Sequence, residues 1–148
     1  MSAAGERLVW AARQWIGTPY VHQAATKGAG CDCLGLLRGV WSELLGCEPE
    51  AVPPYSMDWS EPQGEEQLWA AALRHMTAKA DDAAARGDVL LFRMRQGAVA
   101  KHLGVQASIG DRPSFIHAYA GHGVVESPLS APWQRRIVAR FIFPEEVS

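Results

Sequence analysis

The hydrophobic period of this chain changes partway along, and that change constrains the fold more than any other feature. Up to about residue 76 the apolar residues recur three and four apart; from Gly87 onwards they alternate. Leu8, Val9, Ala12, Trp15 and Ile16 form a first helical stripe that Ser2 can cap and that Gly17-Thr18-Pro19 ends. Residues 20–30 read as a loop closed by glycines. Asp32 is an N-cap for a second helix, with Cys33, Leu36, Leu37, Val40, Trp41 and Leu44 on one stripe and Gly46 at the C′ position. An irregular stretch holding Pro49, Pro53, Pro54 and Tyr55 follows. A third helix is expected to start near Ser60, burying Leu68, Trp69, Ala72, Leu73 and Met76. Strands are expected at 88–95, 102–109, 114–119, 123–127 and 135–143. Helices first and strands second give an α+β fold, with N-terminal helices packed on an antiparallel sheet. No linker interrupts the chain, and 148 residues suit one core, so residues 1–148 read as a single domain.

Charge and composition exclude several classes of function. A formal net charge of -2 without runs of like charge gives no bulk attraction to nucleic acid. No stretch approaches the roughly 18 apolar residues of a membrane span, so no membrane insertion is expected. Glu6, Arg7 and Arg13 break up the apolar residues of the first 20 positions, which therefore lack the pattern of a signal peptide. The expectation is synthesis in the cytoplasm, with any journey outside made by other means. Cys31, Cys33 and Cys47 are an odd set and build no disulfide framework.

Cys33 is the first candidate for chemistry. As the first helical residue after Asp32 it sits over free backbone N–H groups and the positive end of the helix dipole, which favour the thiolate. The Asp32 carboxylate opposes this. A buried core cysteine is the plain alternative, since free cysteine is among the most buried residue types. The histidines tip the balance. With Gly110-Asp111 as a two-residue type II′ turn, His102 faces Tyr119, and His117 lies one diagonal step away on the same face. Leu103, Val105, Ala107 and Ile109 then point to the core, and His102, Gly104, Gln106 and Ser108 point away from it. One histidine can act as base and the other as its orienter. His22, His75 and His122 lack such a setting. A zinc site drawn from Cys31, Cys33, His102 and His117 lacks the usual C-x2-4-C spacing, so no metal and no cofactor are expected.

These residues carry a resemblance. Gly17-Thr18-Pro19-Tyr20, Gly30-Cys31-Asp32-Cys33-Leu34-Gly35-Leu36, Gly87-Asp88-Val89-Leu90-Leu91-Phe92, His102-Leu103-Gly104-Val105 and Ile116-His117-Ala118 resemble the ordered blocks of NlpC/P60 peptidases. The match runs over roughly residues 7–145. The resemblance implies a papain-like α+β fold and a Cys-His-His triad. By it, Cys33 is the nucleophile, His102 the base and His117 the polar third member, and Tyr20 helps hold the oxyanion. The implied substrate is bacterial cell-wall peptide, cut after γ-D-glutamate. The family's common D-C-S-G reads Asp32-Cys33-Leu34-Gly35 here, so one hydroxyl is missing, and Cys31 is an extra thiol.

The compact chain and its Pro-Pro-Tyr segment resemble the short NlpC/P60 proteins of phage tails and gene transfer agents. That implies a wall peptidase carried in a tail or baseplate, with tail or baseplate proteins as partners. The segment 47–60, with Pro53, Pro54, Tyr55 and Trp59, is then the candidate docking surface, against the plainer reading of a rigid loop. Two rivals stand beside this reading: a structural tail or hub protein that has lost catalysis, and a thiol amidase or acyltransferase on a small intracellular molecule. Lys27, Arg93, Arg95 and Lys101 could meet the carboxylates of a wall peptide, although solvated surface charge is the better explanation.

Overall fold

The computed structural model describes residues 3–50, 66–80 and 83–145. Helix α1 (Ala3–Arg13) leads through a tight turn to a two-stranded hairpin of β1 (Ala25–Thr26) and β2 (Gly30–Cys31). Helix α2 (Cys33–Leu45) follows, and then α3 (Gln67–His75) and the short strand β3 (Thr77–Ala78). The C-terminal half contains β4 (Asp88–Arg93), β5 (Ala100–Gln106), β6 (Ser114–Tyr119), β7 (Gly123–Pro128), α4 (Ala131–Arg136) and β8 (Ile137–Ile142). The main sheet has six strands in the order β3-β8-β4-β5-β6-β7, each pair antiparallel. This is the expected α+β arrangement. Ser2, the expected start of the third helix near Ser60, and Pro53, Pro54, Tyr55 and Trp59 lie outside the described residues.

One face of the sheet carries α1 and α2. Leu8, Val9, Ala12 and Trp15 from the first segment and Leu36, Leu37, Val40 and Trp41 from α2 meet Val89, Leu91, Leu103, Val105, Ile116 and Ala118. Each large apolar side chain so buried contributes about 1.5–3 kcal/mol relative to exposure. Leu103, Val105 and Ala107 point into this core as the alternation predicts, whereas Ile109 is 42% exposed. The other face is not left to solvent. Leu90, Phe92, Phe115 and Leu129 form a second cluster there, and Trp133 from α4 packs on it. Farther along the same face, Arg140 bridges Asp88 and the wholly buried Gln106.

Three differences from the sequence reading have physical causes. Helix α1 stops at Arg13 because Gln14, Trp15 and Ile16 turn their N–H groups to carbonyls three residues back, tightening the last turn. Residues 25–31 form a hairpin instead of an open loop, tied by the Cys31 N–H to Pro19 and by Val21 N–H to Cys31. The stretch 135–143 is not all strand: Pro132 sits in the first turn of α4, whose N-cap is Ser130, and β8 begins only at Ile137.

Helix α2 ends at Gly46 with φ +87°, the left-handed cap that glycine adopts without strain. Its start is tied down by Asp32, which is 2% exposed. One carboxylate oxygen accepts from the Gly35 N–H at 2.7 Å and the other from the Gln23 N–H at 2.7 Å. The 22–24 turn thus lies against the first turn of the helix. A Cβ on Gly35 would fall 1.8 Å from the Ala24 carbonyl oxygen. Because that neighbour is backbone, Gly35→Ala should cost about 3 kcal/mol or more. A thermal melt should show the midpoint falling by roughly 10 °C; a midpoint within experimental error of the parent would refute the close approach.

Candidate active site

The ladder between β5 and β6 pairs Val105 with Ile116 and Gln106 with Phe115. This is the register in which His102 lies opposite Tyr119, although the connection is not the tight Gly110-Asp111 turn. Ser114 bonds to both Ala107 and Ser108, leaving residues 109–113 as a longer loop that preserves the side-chain parity. His102 and His117 therefore share a face, and His102 Nε2 lies 2.7 Å from His117 Nδ1. His102 is 7% exposed and His117 is wholly buried.

The start of α2 enters beside β5. In β5 the N–H and C=O groups of Lys101 and Leu103 point to the β6 side, where the ladder stops at Val105↔Ile116. The Cys33 thiol takes that place: Sγ donates to the Lys101 carbonyl at 3.7 Å, and the Leu103 N–H points at the sulfur. The sulfur thus sits beside the backbone of His102. His102 Nε2 is engaged by His117, which leaves Nδ1 as its other ring nitrogen.

Burial sets the protonation of this group. It pushes the Cys33 thiol up to about 12, and Asp32 adds to the rise; the N–H groups of Leu103, Leu34 and Cys33 pull the other way and are outweighed. Burial, and then His117, brings His102 down to about 3. His117 falls to about 4, through burial and the nearby His122. Burial thus favours a neutral thiol and neutral imidazoles and opposes the thiolate that the helix start alone favours. Cys33 is only half-buried, so its open side remains accessible.

Tyr20 is held next to this group by a parallel bridge to Cys31. Its phenol is raised to about 12 by burial and then by Cys33, so it stays a proton donor. Cys31 is fully buried in the helix-side core, and its thiol is likewise raised to about 12. Of the other histidines, His122 stacks on Tyr119, His75 bonds to Glu50, and His22 lies 3.7 Å from Asp32. Lys27 and Arg93 are engaged in ion pairs with Glu43 and Glu66. Among the described residues no group of three or more His, Cys, Asp and Glu side chains is placed to hold a metal.

Two contributors escaped the sequence reading. Trp133 places its ring 5.7 Å from His102 and 5.2 Å from His117, centroid to centroid, and walls the pair off from the side of α4. Ser127 places Oγ 2.9 Å from His117 Nε2. Its signal was present: with a hairpin at residues 120–122, the alternation puts residues 125 and 127 on the face of His117.

Comparison with known proteins identifies the family to which this fold belongs. The "Gamma-DL-glutamyl hydrolase" of Bacillus subtilis (strain 168) is 30% identical over 123 residues, 83% of this chain and 25% of that protein. The "Probable endopeptidase YafL" of Escherichia coli (strain K12) is 29% identical over 135 residues, 90% of this chain and 48% of that protein. The chain thus spans half or less of the length of these curated relatives. Among solved structures, the NlpC/p60 domain of the peptidoglycan hydrolase SagA aligns with a TM-score of 0.64 at 21% identity, covering 93% of this chain and 97% of that domain. An NlpC/P60 family protein from Bacillus cereus ATCC 10987 aligns with a TM-score of 0.62 at 22% identity, covering 95% of this chain and 40% of that one. The family model for NlpC/P60 matches residues 17–141, from the turn before Tyr20 to near the end of β8, and the chain belongs to the NlpC/P60 family.

Proposed function

We propose that this protein is a thiol hydrolase of peptide amide bonds that cuts cell-wall stem peptides after γ-D-glutamate. The observation that carries the reading is the thiol of Cys33 bonded to the Lys101 carbonyl, one residue from His102, while His102 Nε2 is held by His117. The family generally comprises cysteine peptidases and cell-wall hydrolases, and one relative is named for γ-glutamyl hydrolysis.

In this reading the Cys33 proton passes to His102 Nδ1 as Sγ bonds to the carbonyl carbon. The oxyanion meets the Tyr20 hydroxyl and the Cys33 N–H, each such donor being worth about 3–4 kcal/mol. The C–N bond then breaks and His102 returns its proton to the leaving amine. Water, deprotonated by His102, cleaves the thioester, releasing a carboxylate and the thiol. His117 orients His102 throughout. No cofactor enters these steps.

Digesting isolated peptidoglycan with the purified protein tests the substrate. Fragments ending in γ-D-glutamate are expected by mass spectrometry. Intact peptidoglycan, with Cys33 still labelled by a thiol probe, would move the substrate to a small amide instead. We further propose that the protein works as a component of a phage-like tail or baseplate, a reading that rests on the resemblance of its Pro-Pro-Tyr segment to proteins of such particles. The protein should then be found when the proteins of purified tailed particles are sequenced; its absence from intact particles would end the delivery reading and leave the hydrolase reading standing.

A further inference from the structure

Ser127 stands behind the two histidines and has no part in the reaction described above. It lies on β7, where Ser127 pairs with Phe115 and Val125 with His117, so its side chain shares the face of His117. Its Oγ is 2.9 Å from His117 Nε2, and His117 Nδ1 is 2.7 Å from His102 Nε2. The three side chains form one line from the base to a hydroxyl. Beyond Ser127 the line opens on a surface cavity of about 660 Å³, also lined by Ser114, Glu126 and Gln134.

Proton bookkeeping gives this line a direction. When His102 takes the thiol proton on Nδ1 it carries N–H groups on both nitrogens. Its Nε2–H points at His117 Nδ1, which can accept only if the His117 proton is on Nε2. That second N–H is buried and needs an acceptor of its own. Ser127 Oγ is the atom in place to accept it, and solvent in the cavity can take the serine proton. With the His117 proton on Nδ1 instead, two N–H groups would confront each other across the 2.7 Å contact.

We propose that Ser127 is a positioning residue whose oxygen holds His117 in its Nε2–H form, so that His102 can carry the Cys33 proton. This rests on the assignment of Cys33 and His102 above. Alanine is a poor test, because water from the cavity could replace the hydroxyl. Valine and threonine are nearly isosteric and differ here in one hydroxyl, so Ser127→Val and Ser127→Thr make the informative pair.

On a γ-D-glutamyl peptide, S127V should lower kcat about tenfold with KM unchanged, while S127T stays within about twofold of the parent. Imidazole ¹⁵N shifts should show the His117 proton on Nε2 in the parent and in S127T, and shared between the two nitrogens in S127V. Equal loss in both variants, or no loss in S127V, overturns the proposal, as does an unchanged His117 tautomer in S127V. The tautomer is read without turnover, so it is judged apart from the assignment beneath it. That assignment fails on different evidence: hydrolysis that survives Cys33→Ala.

Discussion

Cys33→Ala should abolish hydrolysis, lowering kcat by at least about 10⁴-fold, because nothing else in the site can form the thioester. Labelling by iodoacetamide at this position should vanish with it. Alanine suits the first turn of a helix and leaves the Asp32 cap untouched, so the melting midpoint should move little. Cys31→Ala is the control: Cys31 lies wholly inside the core, away from the open side of Cys33, and most activity should remain. A dead Cys31 variant beside an active Cys33 variant would exchange the two roles. The pH dependence of labelling carries a second test. With the thiol raised to about 12 and His102 lowered to about 3, the neutral pair persists between those limits. The thiolate fraction, and with it the alkylation rate, should rise about tenfold per pH unit through the neutral range. A rate already on a plateau in acid would mean a resting thiolate–imidazolium pair and would contradict the dominance of burial.

The geometry of the site was legible in the sequence to the extent that it depends on periodicity. Two-residue alternation in β5 and β6 put His102 and His117 on one face, and the wrong turn at Gly110-Asp111 did no harm because the longer loop kept the same parity. The helix cap was legible because Asp32 and Gly46 are local signals. What alternation could not show is what covers the second face. His102, Gln106 and His117 look like solvent-side residues in a strand pattern, yet α4 and Trp133 close over the histidines and Arg140 satisfies Gln106. That cover comes from a six-residue helix too short to display a period, signalled only by Ser130 and Pro132. The balance of effects on Cys33 was hidden for the same reason. A helix N-terminus can be read from sequence, whereas the desolvation that outweighs it belongs to the tertiary packing.

Burial also separates the roles of the histidines, and His102→Ala should cost far more than His117→Ala. His102 follows the Lys101 carbonyl that holds the thiol, and its Nε2 is engaged by His117, so in the proposed reaction its loss removes proton transfer altogether, an effect of roughly 10²–10⁴-fold or more. His117 touches the reaction only through His102. Its loss leaves the buried His102 Nε2–H without an acceptor, worth about 10–100-fold. Asparagine should restore part of that loss, since its carbonyl oxygen can accept the same N–H, whereas leucine cannot. Folding must be monitored alongside activity, because His117 fills a wholly buried position among Phe115, Tyr119 and Trp133. Acid gives an independent reading of that burial. Both rings are held below the ordinary histidine range, so below about pH 6.5 the unfolded chain binds protons that the folded one refuses. Their contribution to stability is therefore complete above that pH and is lost as the pH falls towards 3–4. His117→Asn should weaken this acid sensitivity while keeping part of kcat, and His102→Ala should weaken it while keeping almost none. If the two single-alanine variants lose activity equally, or if His117 proves to be the ring nearest the Cys33 sulfur, the division between base and orienter is wrong and the proton path must be redrawn through His117.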